Sequence, residues 1–174
     1  SGRSPRSCWE RLRAGLACGV GLYGCTLYWL FAGIQPSHAP VLAYAAPALL
    51  ILAFAMAPAM VAYFADHARR AGAGPVVVAG LLVPGLWCVA EWLRHFSAVR
   101  FPWAHLGYTQ VPDSPLATLA PLTGVLGIGY VVVLAGALLT AALSDRSRSA
   151  RLRILALLSI TAVSLGAGRL TTWT

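Results

Sequence analysis

Most of the side chains that could do chemistry in this chain lie between Glu91 and Gln110. The order is Glu91-Trp92-Leu93-Arg94-His95-Phe96, then Arg100-Phe101-Pro102-Trp103-Ala104-His105-Leu106-Gly107-Tyr108-Thr109-Gln110. Glu91 and Arg94 are three residues apart, so on a helix they share a face and can pair. Within an apolar segment such a pair is costly unless matched, and by default it marks a functional site. The plainer reading is a salt bridge at a helix end, with Arg94 reaching for the surface; Glu91 lies deeper than a pure anchor requires, and both readings stay open. Trp92, Phe96, Phe101, Trp103 and Tyr108 supply aromatic rings at one level, as interfacial belts do. The rigid Phe-Pro-Trp turn, the Gly-Tyr pair, Gln110 and two nearby arginines go beyond a belt. They suit a segment that cradles acyl chains with its rings while guanidinium groups meet a lipid phosphate. His95 and His105 are the candidate proton carriers. Neither has an evident partner in the sequence, and interfacial packing is the plainer role for both.

The elements that must position these residues are apolar. Hydrophobic residues make up 59% of the 174 and charged ones 10%, against about 25% charged in a soluble domain. Arg13 and Asp66 are separated by 52 residues without a charge, and Asp113 and Asp145 by 31; a spanning helix needs about 20. The expectation is an all-α, polytopic bundle with about five spans, near residues 14–34, 41–64, 75–93, 116–143 and 154–173, behind a basic segment 1–13. The stretch from His95 to Pro115 is irregular and rich in aromatics. Gly15, Gly19, Gly21 and Gly24 put small residues at the spacing that lets helices approach closely in lipid. Pro47 and Pro58 are expected to kink or locally unwind the second span. Arg169 interrupts the fifth.

The formal net charge of +8 comes from 13 basic residues, all arginine. They sit in short clusters between apolar runs, where a nucleic-acid binder would gather them on one face. No nucleic-acid partner is expected. Arginine-rich loops stay cytoplasmic: the N-terminus and the second and fourth loops hold ten of the thirteen. The N-terminus is thus expected in the cytoplasm, with the C-terminus and the segment around residues 95–115 on the far side of the bilayer. Cys8, Cys18, Cys25 and Cys88 show no C-x-x-C spacing, so neither a metal site nor a redox dithiol is expected; they read as small hydrophobes. Nothing in the pattern asks for a cofactor. The chain starts with Ser and carries no secretory leader pattern, and it reads as a fragment or processed form of something longer.

The run Glu91-Trp92-Leu93-Arg94, followed by Phe101-Pro102-Trp103, Leu106-Gly107-Tyr108-Thr109-Gln110, Pro115-Leu116-Ala117, Leu119-Ala120-Pro121 and Gly124-Val125, resembles the membrane domain of bacterial apolipoprotein N-acyltransferases. Gly21-Leu22-Tyr23-Gly24 through Tyr28-Trp29-Leu30 is similar to that family's segment ahead of its first periplasmic loop. The resemblance covers about residues 15–129. It implies a multi-pass protein of the bacterial inner membrane and a reaction in which an acyl chain passes from a phospholipid donor to the N-terminal cysteine of a lipoprotein. It also implies a periplasmic nitrilase-like domain, expected after Thr174, that bears a Glu-Lys-Cys triad. Cysteine there forms a thioester, glutamate acts as base and lysine stabilises the oxyanion. This sequence has no lysine, so the triad is not completed within these residues and no catalytic residue is assigned. The positions carried over are Glu91, Arg94, Phe101, Pro102, Trp103, Gly107, Tyr108 and Gln110, as the lining of a lipid-access site. Polyprenol-phosphate mannose synthases with a similar membrane region remain an alternative, as does a small transporter fragment, although no internal repeat of the transporter kind is evident. A non-catalytic scaffolding bundle is the third.

Overall fold

In a computed structural model the described residues are 8–33, 40–96, 103–110 and 114–144, together with Leu155 and Ser159. They are 93% helical, with no strand among them. Among the described residues three helical stretches are long and apolar enough to cross a membrane: Ala43–Arg70, Pro75–Phe96 and Pro115–Ser144. This fits the expected bundle of about five spans; the fifth, near 154–173, falls almost wholly outside the described residues. The chain divides into two units, Ser1–Ala71 and Gly72–Thr174.

In the first unit, α1 (Cys8–Leu27) continues past Tyr28 into the short α2 (Trp29–Gly33), and α3 (Pro40–Arg70) runs back antiparallel to α1. Hydrophobic burial does not drive helices together in lipid, so close packing must. Gly15 and Gly19 supply it. A β-carbon on Gly15 would lie 2.7 Å from the Pro58 carbonyl oxygen, and one on Gly19 would lie 2.7 Å from the Ala55 α-carbon, well inside ordinary carbon contact at about 3.5–4.0 Å. Further along, Tyr23 meets Phe54 edge-on with ring centres 5.4 Å apart. Where α1 begins and α3 ends, Asp66 accepts a hydrogen bond from Arg70 Nε at 2.7 Å and pairs with Arg11 Nε at 3.5 Å. The expected unwinding at Pro47 and Pro58 does not occur: α3 stays helical through both. Pro47 is buried and the Pro58 ring faces Gly19 of α1, so the prolines serve as packing surface.

Unwinding appears instead in the third predicted span. There α4 (Pro75–Val77) passes through a π-turn, Val78–Leu82, before α5 (Val83–Leu93). Pro84 has no N–H to give to the Gly80 carbonyl four residues earlier, and its ring crowds that turn; a π-bulge absorbs the misfit. Tyr130 Oη donates to that same Gly80 oxygen at 3.0 Å. Tyr130 lies on α6 (Ala120–Ser144), which packs along α5 and the π-turn. Predicted as one continuous span, α6 is broken at Gly124, whose φ of 64° and ψ of −172° are open to glycine and costly for any other residue. Ser114 begins the 3-10 turn Pro115–Leu119 ahead of α6, its hydroxyl accepting from the Leu116 N–H at 3.2 Å.

Candidate functional site

The second unit assembles the site from the end of α5, the segment 103–110 and the start of α6. Glu91 stands one turn before α5 gives way to a 3-10 turn, Arg94–Phe96. Its side chain turns inward and is 1% exposed. Gly129 of α6 makes the room: a β-carbon there would lie 3.2 Å from Glu91 Oε2. Arg94 Nη2 pairs with Glu91 Oε1 at 3.1 Å, and Arg94 is itself 8% exposed. The helical spacing of the two residues thus gives the expected pair, in a buried setting where each charge needs the other.

The same oxygen, Glu91 Oε1, accepts a hydrogen bond from the Leu106 backbone N–H at 2.9 Å. A carboxylate on a backbone donor is a charge-assisted bond and among the stronger kinds. It fastens the 3-10 turn Leu106–Gln110 to the end of α5. Gly107 seats that turn on α6, because any β-carbon there would run into the Val125 carbonyl oxygen and come within 2.8 Å of Val125 Cγ2. Ahead of the turn, Ala104 adopts a left-handed φ of 65°, a conformation that costs a residue bearing a β-carbon about 1–2 kcal/mol. Ala104 is the bend that separates the exposed Trp103 from the buried His105.

His105 is 2% exposed, and its Nδ1 lies 3.8 Å from Glu91 Oε2. That separation is too long for a hydrogen bond. Among the described residues, neither Glu91 Oε2 nor either ring nitrogen of His105 has a hydrogen-bond partner. The ring meets His95 edge-on at 5.0 Å and lies 5.9 Å from the Tyr108 ring. Burial, then the charge of Arg94, then His95 push its pKa down to about 4, so the imidazole is neutral near pH 7. Trp103 and Tyr108 face outward at 57% and 54% exposure, and Trp92 stacks edge-on with Phe96 at 4.6 Å. Thr109 Oγ1 donates to the Leu106 carbonyl, and Gln110 Nε2 donates to Thr109 Oγ1.

The carried-over residues therefore divide. Glu91, Arg94 and Gly107 form a buried fastening; Trp103 and Tyr108 are exposed rings mounted on it, with Gln110 half-buried beside them. Phe101 and Pro102 lie outside the described residues. From sequence His105 has no evident partner, Val125 carries only the family resemblance, and Gly129 has no assigned role. The only signals for them were a histidine two residues after the Phe-Pro-Trp turn and the Gly127-Ile128-Gly129 pair of small residues. Among the described residues no group of three metal-ligating side chains comes together. The arrangement can hold aromatic surface in a defined place.

Residues 3–138 match the family model described as the apolipoprotein N-acyltransferase N-terminal domain. Similar curated proteins include the apolipoprotein N-acyltransferase of Methylococcus capsulatus, 37% identical over 156 residues, which is 87% of this chain and 29% of the relative. The apolipoprotein N-acyltransferase of Nitrosomonas europaea is 35% identical over 148 residues, 83% of this chain and 29% of the relative. That of Chromobacterium violaceum is 32% identical over 156 residues, 88% of this chain and 29% of the relative. The chain thus spans less than a third of the length of these relatives. With the match covering both helical units and the whole Glu91–Gln110 segment, the chain belongs to the apolipoprotein N-acyltransferase N-terminal domain family.

Proposed function

We propose that this chain is the membrane part of an enzyme that N-acylates lipoproteins, anchoring it in the bacterial inner membrane and receiving its phospholipid acyl donor. The observation that carries the reading is the family match over residues 3–138. In this reading Trp103 and Tyr108 form an aromatic ledge for the acyl chains with Gln110 beside it, and Phe101 and Pro102 are assigned to the same lipid-access role by family likeness alone. The Glu91–Arg94 pair fixes the ledge through the Leu106 N–H. The acyl-transfer chemistry belongs to a nitrilase-like domain beyond Thr174, which takes the lipoprotein acceptor. An N-terminus in the cytoplasm and a far-side C-terminus fit this arrangement. The antiparallel packing of α1 on α3 supports that orientation, since it brings Arg11, Arg13, Arg69 and Arg70 to one end. Neither a mannose synthase-like nor a transporter reading gains support from the relatives. The test is phospholipid-dependent acylation of a diacylated lipopeptide by the full-length gene product, with the 174-residue chain alone as comparison. Activity in the former and none in the latter is expected; acylation by the isolated chain would overturn the reading.

A further inference from the structure

At the arginine-bearing end of the α1–α3 pair the first unit carries a groove of about 360 Å³, lined by Cys8, Trp9, Leu12, Met60 and Tyr63. Its volume is at the lower end of small-ligand sites. The walls are almost entirely apolar, yet the surrounding end of the helix pair is charged. Asp66 is shared by two guanidinium groups, Arg11 and Arg70. Arg13 and Arg69 stand exposed near the same helix ends, so four arginines outnumber the two carboxylates, Glu10 and Asp66. Trp9 is 70% exposed at the groove's edge, and Tyr63 stacks with His67. An apolar slot beside amphipathic rings, at an end of the helix pair that carries an excess of arginine, is the layout of a membrane–water interface.

We propose that this groove binds one acyl chain of an anionic glycerophospholipid, its phosphate held by the arginines at the start of α1 and the end of α3. Two features favour a lipid over a partner helix. Close helix packing in a bilayer uses small residues, as Gly15 and Gly19 do deeper in the pair, whereas the groove presents Trp9, Leu12, Met60 and Tyr63. Met60 and Leu12 are flexible enough to fit a chain of methylenes. The excess of arginine then selects the headgroup, since each basic side chain near an anionic surface raises the affinity about fivefold. The proposal concerns the first unit alone and does not depend on the reading of the Glu91–Gln110 segment.

The test is quenching of Trp9 in vesicles, isolated as the difference between the chain and its Trp9→Phe variant. Phosphatidylcholine vesicles contain equal mole fractions of either dibrominated phosphatidylglycerol or dibrominated phosphatidylcholine. The brominated anionic lipid is expected to quench at an apparent affinity about tenfold or more higher, a margin that Arg13 and Arg69 supply between them. Arg13→Gln combined with Arg69→Gln removes the preference while sparing the Asp66 cluster. Met60→Trp, read in a Trp9→Phe background, gives a second reporter from the opposite wall. Equal quenching by the two lipids, or a preference unchanged in the double arginine variant, overturns the proposal.

Discussion

Replacing Glu91 tests how the ledge is held. Glu91→Ala takes away the acceptor of the Leu106 N–H at 2.9 Å and the counter-charge of Arg94 at 3.1 Å in one step. A hydrogen bond to a charged group contributes about 1.5–3 kcal/mol, and deleting one partner of a buried ion pair costs about 3–5 kcal/mol. Both losses come from the same carboxylate and overlap, and Arg94 sits near a helix end where it can swing outward. The net cost for docking residues 103–110 is therefore about 4 kcal/mol, roughly a thousandfold in the opening equilibrium. Glu91→Gln keeps the acceptor and loses the charge, for about 2 kcal/mol or roughly thirtyfold. Hydrogen exchange on the peptide containing Leu106 and Gly107, with the protein in nanodiscs, reads this directly. The expected order of protection is native above Gln above Ala. If Glu91→Ala exchanged within about threefold of the native chain, the turn would be held by something other than this carboxylate.

Other expectations are as direct. Gly107→Ala drives a methyl into the Val125 carbonyl; overpacking of this kind costs about 1–3 kcal/mol, visible as a lower thermal midpoint and faster exchange over residues 103–110. His105, faced by Glu91, Arg94, His95 and Tyr108, has its pKa lowered in the folded state from 6.5 to about 4. The unfolded chain thus binds the extra proton first, so the stability of this segment is full above about pH 6.5 and falls, by up to about 3 kcal/mol, as pH drops toward 4. His105→Gln should flatten that dependence in unfolding experiments between pH 4.5 and 7.5. Tyr130→Phe leaves the Gly80 carbonyl without the hydroxyl that meets it at 3.0 Å, a loss of about 1 kcal/mol that equilibrium unfolding would register.

Which parts of this were readable from sequence follows from the range of the forces involved. The Glu91–Arg94 pair is a local consequence of helical spacing, and the apolar runs announce the helices through length alone. Gly15 and Gly19 were readable as a packing face because small residues matter wherever helices touch in lipid, whereas Gly21 and Gly24, expected to pack in the same way, meet nothing within 4 Å. The hydrogen bond from Leu106 to Glu91 spans fifteen residues and depends on a turn at Ala104 that no residue preference announces, since alanine is a poor choice for positive φ. His105 went unpartnered for the same reason. The prolines of α3 show a rule overridden by tertiary packing, while Pro84, read as ordinary helix, produced the π-turn because the Gly80 carbonyl found its donor on α6.

In the function proposed above, the exposed rings of residues 103–110 receive the acyl donor of an N-acyltransferase. Steady-state acyl transfer by the full-length gene product, with phospholipid as the varied substrate and a diacylated lipopeptide fixed, tests it most directly in a variant carrying Trp103→Ala and Tyr108→Ala. Both side chains are more than half exposed, so the fold should survive their loss, and removing two contact rings at about 1 kcal/mol each should raise the KM for phospholipid roughly tenfold or more. The account predicts that rise with kcat within about twofold of the native enzyme. A KM unchanged in the double variant would contradict it.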